Sequence, residues 1–196
     1  LRDNLVWANG YVVADDPESI APGKESDDVM AFIRARIAHL KAELLVESPY
    51  FVLPAGAQAT VKALHERNVR VRVLTNSLAS NDMLPAHSGY AKTRRRLLEN
   101  GMELYELRPD TDAFRPGWSL LAGRSRAALH AKAMAFDGEA VFIGSFNLDP
   151  RSAVINTEAG LYIESVELAK KLMSYMATGV VPANSYRVLL NPNGEI

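Results

Sequence analysis

The chain has 196 residues, of which 48% are apolar, 23% charged and 8% aromatic, a composition that excludes a disordered or low-complexity protein. Its 22 Lys and Arg residues stand against 23 Asp and Glu, and the net charge of -1 disfavours a protein that wraps nucleic acid. Because there is no cysteine, disulfides, thiol nucleophiles and cysteine-based zinc sites are excluded.

Strand and helix patterns alternate through the first half of the chain. In chain order we predict a hairpin of Leu5–Ala8 and Tyr11–Ala14 around Asn9-Gly10, a helix capped by Ser26 that carries Val29, Ile33, Ile37 and Leu40, a strand from Leu44 to Val46, a helix Ala57–Arg67, a strand Val69–Leu74, a helix Ser88–Glu99 and a strand Met102–Leu107. The β-α-β-α-β order predicts an α/β sheet with parallel crossovers.

The second half changes to strands in quick succession. After an irregular segment, we predict strands Ala128–Phe136, Glu139–Phe146 and Glu158–Ile163, a helix Val166–Met176 and a final strand Tyr186–Leu190. In an open α/β sheet, ligands bind at the carboxyl ends of the strands. That rule directs attention to Glu47–Phe51 and Thr75–Ser77, where two predicted strands end.

The sequence at both ends of the chain is typical of truncation within a longer protein. The chain opens on Leu1 and runs into the predicted hairpin, and Asn193-Gly194 is a turn signal only two residues before Ile196. Since a hairpin needs a return strand, we expect one domain over residues 1–196 that is part of a longer protein. A frayed natural terminus is the alternative.

The predicted hairpin of the second half carries the clearest chemical pattern. Asp137-Gly138 predicts a two-residue turn, which sets His130 opposite Ser145. Alternation along the two strands then gathers four polar side chains on one face: His130, Lys132, Ser145 and Asn147.

These four groups suit a phosphate. Lysine supplies positive charge, and the hydroxyl and amide groups donate hydrogen bonds to phosphate oxygens. Histidine titrates near neutral pH, so it can attack phosphorus or transfer a proton. No Asp/Glu cluster resembles a magnesium site, and cationic side chains can take the place of the metal. We therefore expect phosphoryl chemistry without a metal or organic cofactor.

The spacing of this segment resembles the HKD motif of the phospholipase D superfamily. The pattern His130-x-Lys132-x4-Asp137-x6-Gly144-Ser145-x-Asn147 fits that motif at every fixed position. Three further segments resemble the C-terminal half of bacterial cardiolipin synthases: Glu47-Ser48-Pro49-Tyr50-Phe51, His87-Ser88-Gly89-Tyr90-Ala91, and Asn147-Leu148-Asp149-Pro150-Arg151-Ser152 followed by Asn156-Thr157-Glu158. The resemblance implies a phospholipase D-like mixed sheet flanked by helices, forming one half of a pseudo-twofold, two-motif enzyme.

The resemblance also implies roles for the motif residues. In two-motif members one histidine is the nucleophile and forms a phosphohistidine, while the other is the general acid and base. In a second half, His130 takes the acid and base role, Lys132 and Asn147 bind phosphate oxygens, and Ser145 supports them. Glu158 matches the acidic position that orients the motif histidine.

Five more residues are candidates on weaker grounds. Asp137 is the aspartate of the motif, but its place in the predicted turn favours a structural role over a catalytic one. Tyr50 lines either an acyl or headgroup pocket or the core, and Ser77 ends a strand beside the expected substrate. By resemblance, His87 lines the substrate channel. Arg94 belongs to a basic run that either contacts anionic headgroups or is a solvated helix face.

We therefore expect a phosphatidyltransferase of cardiolipin synthase type that acts on phospholipid. The chain has one motif where the family needs two, so its partner is either an N-terminal half or a second copy in a homodimer. The rivals are a phospholipase D-like hydrolase, a single-motif nuclease dimer, and a non-catalytic lipid- or phosphate-binding module. With no signal peptide or membrane span in the sequence, we expect a cytoplasmic or peripheral inner-membrane location, with contact to an anionic membrane.

Overall fold

The computed structural model describes residues 5–17, 28–54, 56–81, 83–111 and 127–196. Within them the elements are β1 (Asn9–Ala14), α1 (Asp28–Ala38), β2 (Glu43–Glu47), α2 (Ala57–Glu66), β3 (Arg70–Asn76), α3 (Leu84–Glu99), β4 (Glu103–Leu107), β5 (Ala133–Phe136), β6 (Ala140–Gly144), α4 (Pro150–Val154), β7 (Ala159–Glu164), α5 (Val166–Gly179) and β8 (Ser185–Val188). The predicted cap Ser26 lies outside the described residues.

The strands join into one sheet with the order β1-β7-β6-β5-β2-β3-β4-β8. β2, β3 and β4 run parallel and are connected through α2 and α3, as the predicted crossovers require. β5, β6, β7 and β1 follow as antiparallel neighbours on one side, and β8 pairs antiparallel with β4 on the other. The predicted α/β class is therefore confirmed as a mixed sheet flanked by helices.

Apolar side chains leave both faces of the central strands. Leu44 and Val46 belong to the main core, which also contains residues of α1, α2 and α3. Leu45 points to the other face and packs in a smaller cluster with Ala135 and with Met176 of α5. Because helices cover both faces, β2 is apolar along most of its length instead of alternating with polar residues.

The predicted hairpin at the start of the chain is wrong. Asn9-Gly10 is not a turn but the beginning of β1, which pairs with β7 through six residues from Asn9 to Ala14. A backbone bond from Asp15 N to Glu158 O at 2.9 Å continues this pairing beyond the strands. The long-range ladder makes more hydrogen bonds than a four-residue local hairpin, so tertiary pairing overrides the turn preference of the dipeptide.

Several other elements differ from the prediction, and three of these differences have a local cause. The strand predicted from Ala128 begins only at Ala133, because the backbone of Leu129 is hydrogen-bonded to the Asn76 side chain. α3 begins at Leu84, since a proline in the first helical turn lacks only an N–H that has no intrahelical partner. The short helix α4 was not predicted, although Asp149 caps it by accepting bonds from the N–H groups of residues 151 and 152.

The register of the β5–β6 hairpin differs by one residue from the prediction. Asp137 and Gly138 both have positive φ, 50° and 69°, as a type I′ turn requires. Glu139 nevertheless stays outside the ladder, and Phe136 pairs with Ala140 instead of residue 139. The side-chain parity of β6 is therefore reversed relative to β5, and His130 does not face Ser145 across the hairpin.

Candidate functional site

Five polar segments meet at one edge of the sheet. The carboxyl ends of β2, β3 and β6 lie at this edge, and the antiparallel strands β5 and β7 begin there. The edge therefore carries residues 47–51, 76–77, 128–132, 145–147 and 156–158. The strand order therefore brings together segments that are about a hundred residues apart in sequence, at the carboxyl ends of strands where ligand sites are expected.

His130 and Lys132 form a polar pair at this edge. The Lys132 ammonium donates a hydrogen bond to the His130 carbonyl oxygen at 3.0 Å and lies 3.5 Å from Nε2 of the same histidine. The His130 side chain is exposed, while Lys132 is half-buried. The arrangement places a positive charge beside an imidazole that solvent can reach, although neither residue belongs to β5.

Asn76 fixes the backbone that leads to His130. Its buried amide accepts a hydrogen bond from Leu129 N at 2.8 Å and donates one to Leu129 O at 3.1 Å. The same amide nitrogen lies 3.4 Å from Pro49 O, which links β3 to the loop after β2. From the sequence, Asn76 is predicted only as part of the strand end Thr75–Ser77. The available signal was an amide side chain at the carboxyl end of a parallel strand.

Ser145 and Glu158 are hydrogen-bonded to each other. The Ser145 hydroxyl donates to Glu158 Oε2 and accepts from Ala159 N at 3.0 Å, while Asn156 Nδ2 donates to Glu158 Oε1 at 3.1 Å. Glu158 itself is buried. Within the described part of the chain its carboxylate is not hydrogen-bonded to His130, so the predicted pairing of these two residues is not formed here.

Asn147 and Tyr50 lie where the loop after β2 contacts the segment after β6. Ser48 joins the two segments, because its hydroxyl donates to Tyr50 O at 2.8 Å and accepts from Leu148 N at 3.2 Å. Phe51 forms a parallel bridge with Leu148. The Asn147 Oδ1 atom is buried and has no hydrogen-bond partner among the described residues. An amide oxygen atom cannot donate a hydrogen bond, so a phosphate oxygen can be bound only by the Nδ2 group of this amide.

Asp137 is at the far end of the hairpin from His130. Its carboxylate accepts hydrogen bonds from the backbone N–H groups of Lys41, Ala42 and Glu43 at 2.8–2.9 Å. These bonds attach the β5–β6 turn to the loop between α1 and β2. The position agrees with the structural role that the turn prediction favoured, and it separates Asp137 from the polar edge by the length of β5.

Ser77 and Arg94 each have a partner within the protein. The buried Ser77 hydroxyl lies 3.0 Å from that of Ser80, which donates to Leu107 O at 3.1 Å and so ties the ends of β3 and β4 together. Arg94 forms an ion pair with Glu106 at 2.9 Å. Contact between Arg94 and a lipid headgroup, one of the two predicted alternatives, therefore competes with this ion pair.

His87 is buried near the start of α3. Its ring packs edge-on against Tyr90 with 5.8 Å between ring centroids, and Tyr90 does the same to Phe51 at 6.3 Å. Burial lowers the pKa of His87, and its Nδ1 atom has no hydrogen-bond partner among the described residues. A neutral imidazole behind Phe51 can accept or donate a hydrogen bond but contributes little positive charge.

Glu47 was not predicted as a candidate, yet it is a buried carboxylate at the same edge. It is 2% exposed, and neither oxygen has a hydrogen-bond partner among the described residues. Burial raises the pKa of Glu47 to about 7. The available signal was its place at the carboxyl end of β2, whereas its burial beside Met176 of α5 depends on tertiary packing.

The described residues contain no cluster of three His, Asp or Glu side chains that could hold a metal ion. Besides the buried carboxylates of Glu47 and Glu158, the polar edge carries an ammonium, an imidazole, a carboxamide and a hydroxyl that is hydrogen-bonded to Glu158. Such groups together bind and protonate oxygens of a phosphate or carboxylate.

Comparison with known sequences links this site to a protein family. A family model described as "Cardiolipin synthase, PLD-like domain" matches residues 33–178. Cardiolipin synthase C of Escherichia coli (strain K12) is 39% identical over 171 residues, which are 85% of this chain and 36% of that protein. The chain thus spans about a third of the length of this relative.

Comparison with solved structures supports the same fold. Nuc from Salmonella typhimurium, described as a phospholipase D family member, superposes with a TM-score of 0.63 and 16% identity, covering 92% of this chain and 100% of that one. Phosphatidylserine synthase from Haemophilus influenzae gives a TM-score of 0.64 and 16% identity, covering 92% of this chain and 40% of the other. At this identity the likeness establishes the architecture of the sheet and its helices.

Proposed function

The chain belongs to the family of cardiolipin synthases with a phospholipase D-like domain, and from that premise we propose that it supplies one half of a phosphatidyltransferase site. The observation that supports this most is the His130–Lys132 pair at the polar edge, where Asn147 follows the carboxyl end of β6. The activity is the transfer of a phosphatidyl group from one phospholipid to an alcohol, without a metal ion.

Lys132 and Asn147 are the proposed phosphate ligands. The Lys132 ammonium lies 3.5 Å from the His130 imidazole, so a phosphate oxygen bound to that ammonium comes within reach of the ring. Charge-assisted hydrogen bonds of this kind stabilise the negative charge that develops on phosphoryl oxygens. Ser145 and Glu158 act as positioning residues, because their mutual hydrogen bond fixes the segment between β6 and Asn147.

His130 is the proposed general acid and base. The histidine of the other motif attacks phosphorus, the bond to the leaving glycerol oxygen breaks, and His130 donates its proton to that oxygen. The acceptor alcohol then gives its proton to His130 and attacks the phosphohistidine, which releases the first histidine. Each half-reaction restores the protonation state that the next one needs.

The second histidine comes from a partner in this proposal. The candidates are an N-terminal half in the same polypeptide and a second copy of this chain. The described residues contain no helix that is long and apolar enough to cross a bilayer. We infer peripheral contact with an anionic membrane as the way the polar edge meets its phospholipid, with Tyr50, Ser77 and His87 along the approach to the site.

The test is cardiolipin formation by the natural protein that carries this chain, on vesicles of phosphatidylglycerol. His130→Ala should lower the rate by at least about a hundredfold, the usual range for loss of a general acid and base. His39→Ala is the matched control, because His39 is exposed just after α1 and its Nδ1 atom lies 3.0 Å from Ala35 O. Equal rates for the two variants would overturn the proposal.

Two further measurements separate the roles and the rivals. With an activated diester whose leaving group needs no proton, His130→Ala should still release a burst of leaving group, whereas no burst would make His130 the nucleophile. Acid quenching of labelled substrate should trap a phosphohistidine on the wild-type protein. A binding module would trap none, and a hydrolase would release phosphatidic acid without forming cardiolipin.

A further inference from the structure

A large apolar cavity lies between α1, α2 and the sheet, on the face opposite α5. Its volume is about 480 Å³. Native cores contain few voids larger than a water molecule, whereas ligand-binding pockets span roughly 300–1,000 Å³. We propose that this cavity holds one acyl chain of the phospholipid substrate. The proposal rests on the phosphatidyltransferase function and adds a site for the lipid tail.

The lining of the cavity is that of a hydrocarbon site. Its inner wall consists of buried apolar side chains, among them Ile33, Val46, Val61, Val73 and Met102. The described lining residues include only two with polar side chains, Arg34 and Thr60, and both are exposed. A polar headgroup would find no hydrogen-bond partners on the inner wall, while an acyl chain gains from leaving water there.

The cavity has an opening between the two helices. Arg34 and Ala38 of α1 are exposed on one side of it, and Gly56 and Thr60 at the start of α2 are exposed on the other. The inner wall, in contrast, is formed by the sheet and by the buried faces of α1 and α2. An acyl chain can therefore enter the cavity from the surface without local unfolding of the protein.

The cavity is adjacent to the polar edge. Phe51 and Leu148 both line it, and these two residues form the parallel bridge beside the proposed phosphate ligand Asn147. Leu53 and Pro54 continue the lining from the same loop that begins with Ser48. One wall of the apolar cavity is therefore built from the segment that carries Asn147 and from the loop that this segment contacts, which is the continuity that a substrate with both a phosphate and a tail needs.

Direct binding tests the cavity independently of catalysis. The probe is the fluorescent long-chain fatty acid cis-parinaric acid, titrated into the natural protein that carries this chain. Val61→Phe, which fills the cavity from its wall, should weaken binding by at least about tenfold. The matched control is Ala63→Phe on the exposed face of the same helix. Ala57→Phe, at the half-buried end of α2, is the second filling variant if Val61→Phe does not fold.

Turnover then shows whether the bound chain belongs to the substrate. The filling variants should raise the KM for long-chain phosphatidylglycerol while leaving hydrolysis of bis(p-nitrophenyl) phosphate, which has no acyl chain, unchanged. Equal probe binding by wild type and filling variants would overturn the proposal. Loss of turnover on both substrates in a folded variant would also overturn it, because the cavity would then belong to the core or to a protein partner. If wild type binds the probe but turns over neither substrate, the phosphatidyltransferase function fails while the acyl site stands.

Discussion

The buried carboxylate of Glu47 makes the stability of the folded chain depend on pH. Burial raises its pKa from the usual 4.5 to about 7, so the folded protein binds a proton there that the unfolded chain has released. Below pH 4.5 this carboxyl group is protonated in both the folded and the unfolded chain, so its raised pKa does not change the free energy of unfolding there. The folded state then loses stability as the pH rises through 7.

Glu47→Gln should remove this loss. The variant is expected to be more stable than wild type above pH 7, by about 3 kcal/mol for a shift of this size, and equally stable near pH 4. Urea unfolding at a series of pH values measures the difference. Glu66→Gln, at an exposed glutamate of α2, should leave the pH dependence unchanged. A wild-type stability that does not fall between pH 5 and 8 relative to the Gln variant would contradict the raised pKa.

Substitution of Asp137 distinguishes a structural role of this residue from a catalytic one. Asp137→Ala removes the acceptor for three backbone N–H groups, which water can partly replace because the site is not fully buried. We expect a loss of about 1–2 kcal/mol in unfolding free energy, with kcat unchanged in the folded variant. Asp137→Asn keeps one carbonyl acceptor and should lose less. A collapse of kcat in a fully folded Asp137→Ala protein would assign the residue to the chemistry.

The residues of the candidate site divide by the kind of signal they leave in the sequence. His130, Lys132 and Asn147 are identified by their spacing within one segment, so the sequence predicts them. Asn76 and Glu47 have no such signal, because the function of Asn76 is to bond a backbone 53 residues away and the burial of Glu47 is created by α5. Side-chain roles that depend on distant segments become visible only in the folded chain.

The β5–β6 hairpin illustrates what a turn signal predicts and what it does not. Asp137-Gly138 takes the predicted positive φ values, yet the loop is one residue longer than the dipeptide implies. The Asp137 carboxylate and N–H are bonded to the start of β2 and the loop before it, and these long-range bonds hold the turn in a position that leaves Glu139 outside the β5–β6 ladder. The turn conformation is therefore local information, while the register is a tertiary property.

Gly138→Val tests the conformation of that turn. A β-branched residue at φ 69° costs roughly 1–2 kcal/mol or more, although the nearest atom to an added Cβ, Met173 Sδ, leaves room at 3.6 Å. Unfolding should therefore occur at lower denaturant, and Gly138→Asn, which tolerates left-handed backbone, should lose less. An unchanged midpoint for the valine variant would contradict the positive φ.

The bounds of the parallel strands were predicted closely, because the crossovers between them contain helices that the apolar periodicity identifies. β2, α2, β3, α3 and β4 all form within a few residues of their predicted bounds. The edge strand β1 was misassigned because its partner β7 is separated from it by 145 residues or more in sequence, as in the pair Ala14↔Ala159. Local patterns therefore establish the crossover units, whereas the antiparallel half of the sheet depends on long-range pairing.

The molecule as a whole presents one motif histidine at the polar edge. Of its four histidines, His39 is exposed just after α1, His65 is exposed on α2 and His87 is buried at the start of α3. The proposed reaction needs a nucleophile and a general acid at the same phosphorus, and His130 can be only one of them at a time. The two-histidine mechanism therefore requires a partner at this edge.

Diester turnover by the isolated 196-residue chain, measured alongside sedimentation velocity, tests this requirement most directly. A chain that sediments as a monomer should show no turnover above background, and adding a polypeptide that carries the other motif should restore it. If copies of this chain pair with each other, activity should instead rise with concentration as the dimer forms. Robust phosphatidyl transfer by a chain that remains monomeric would contradict the two-histidine site.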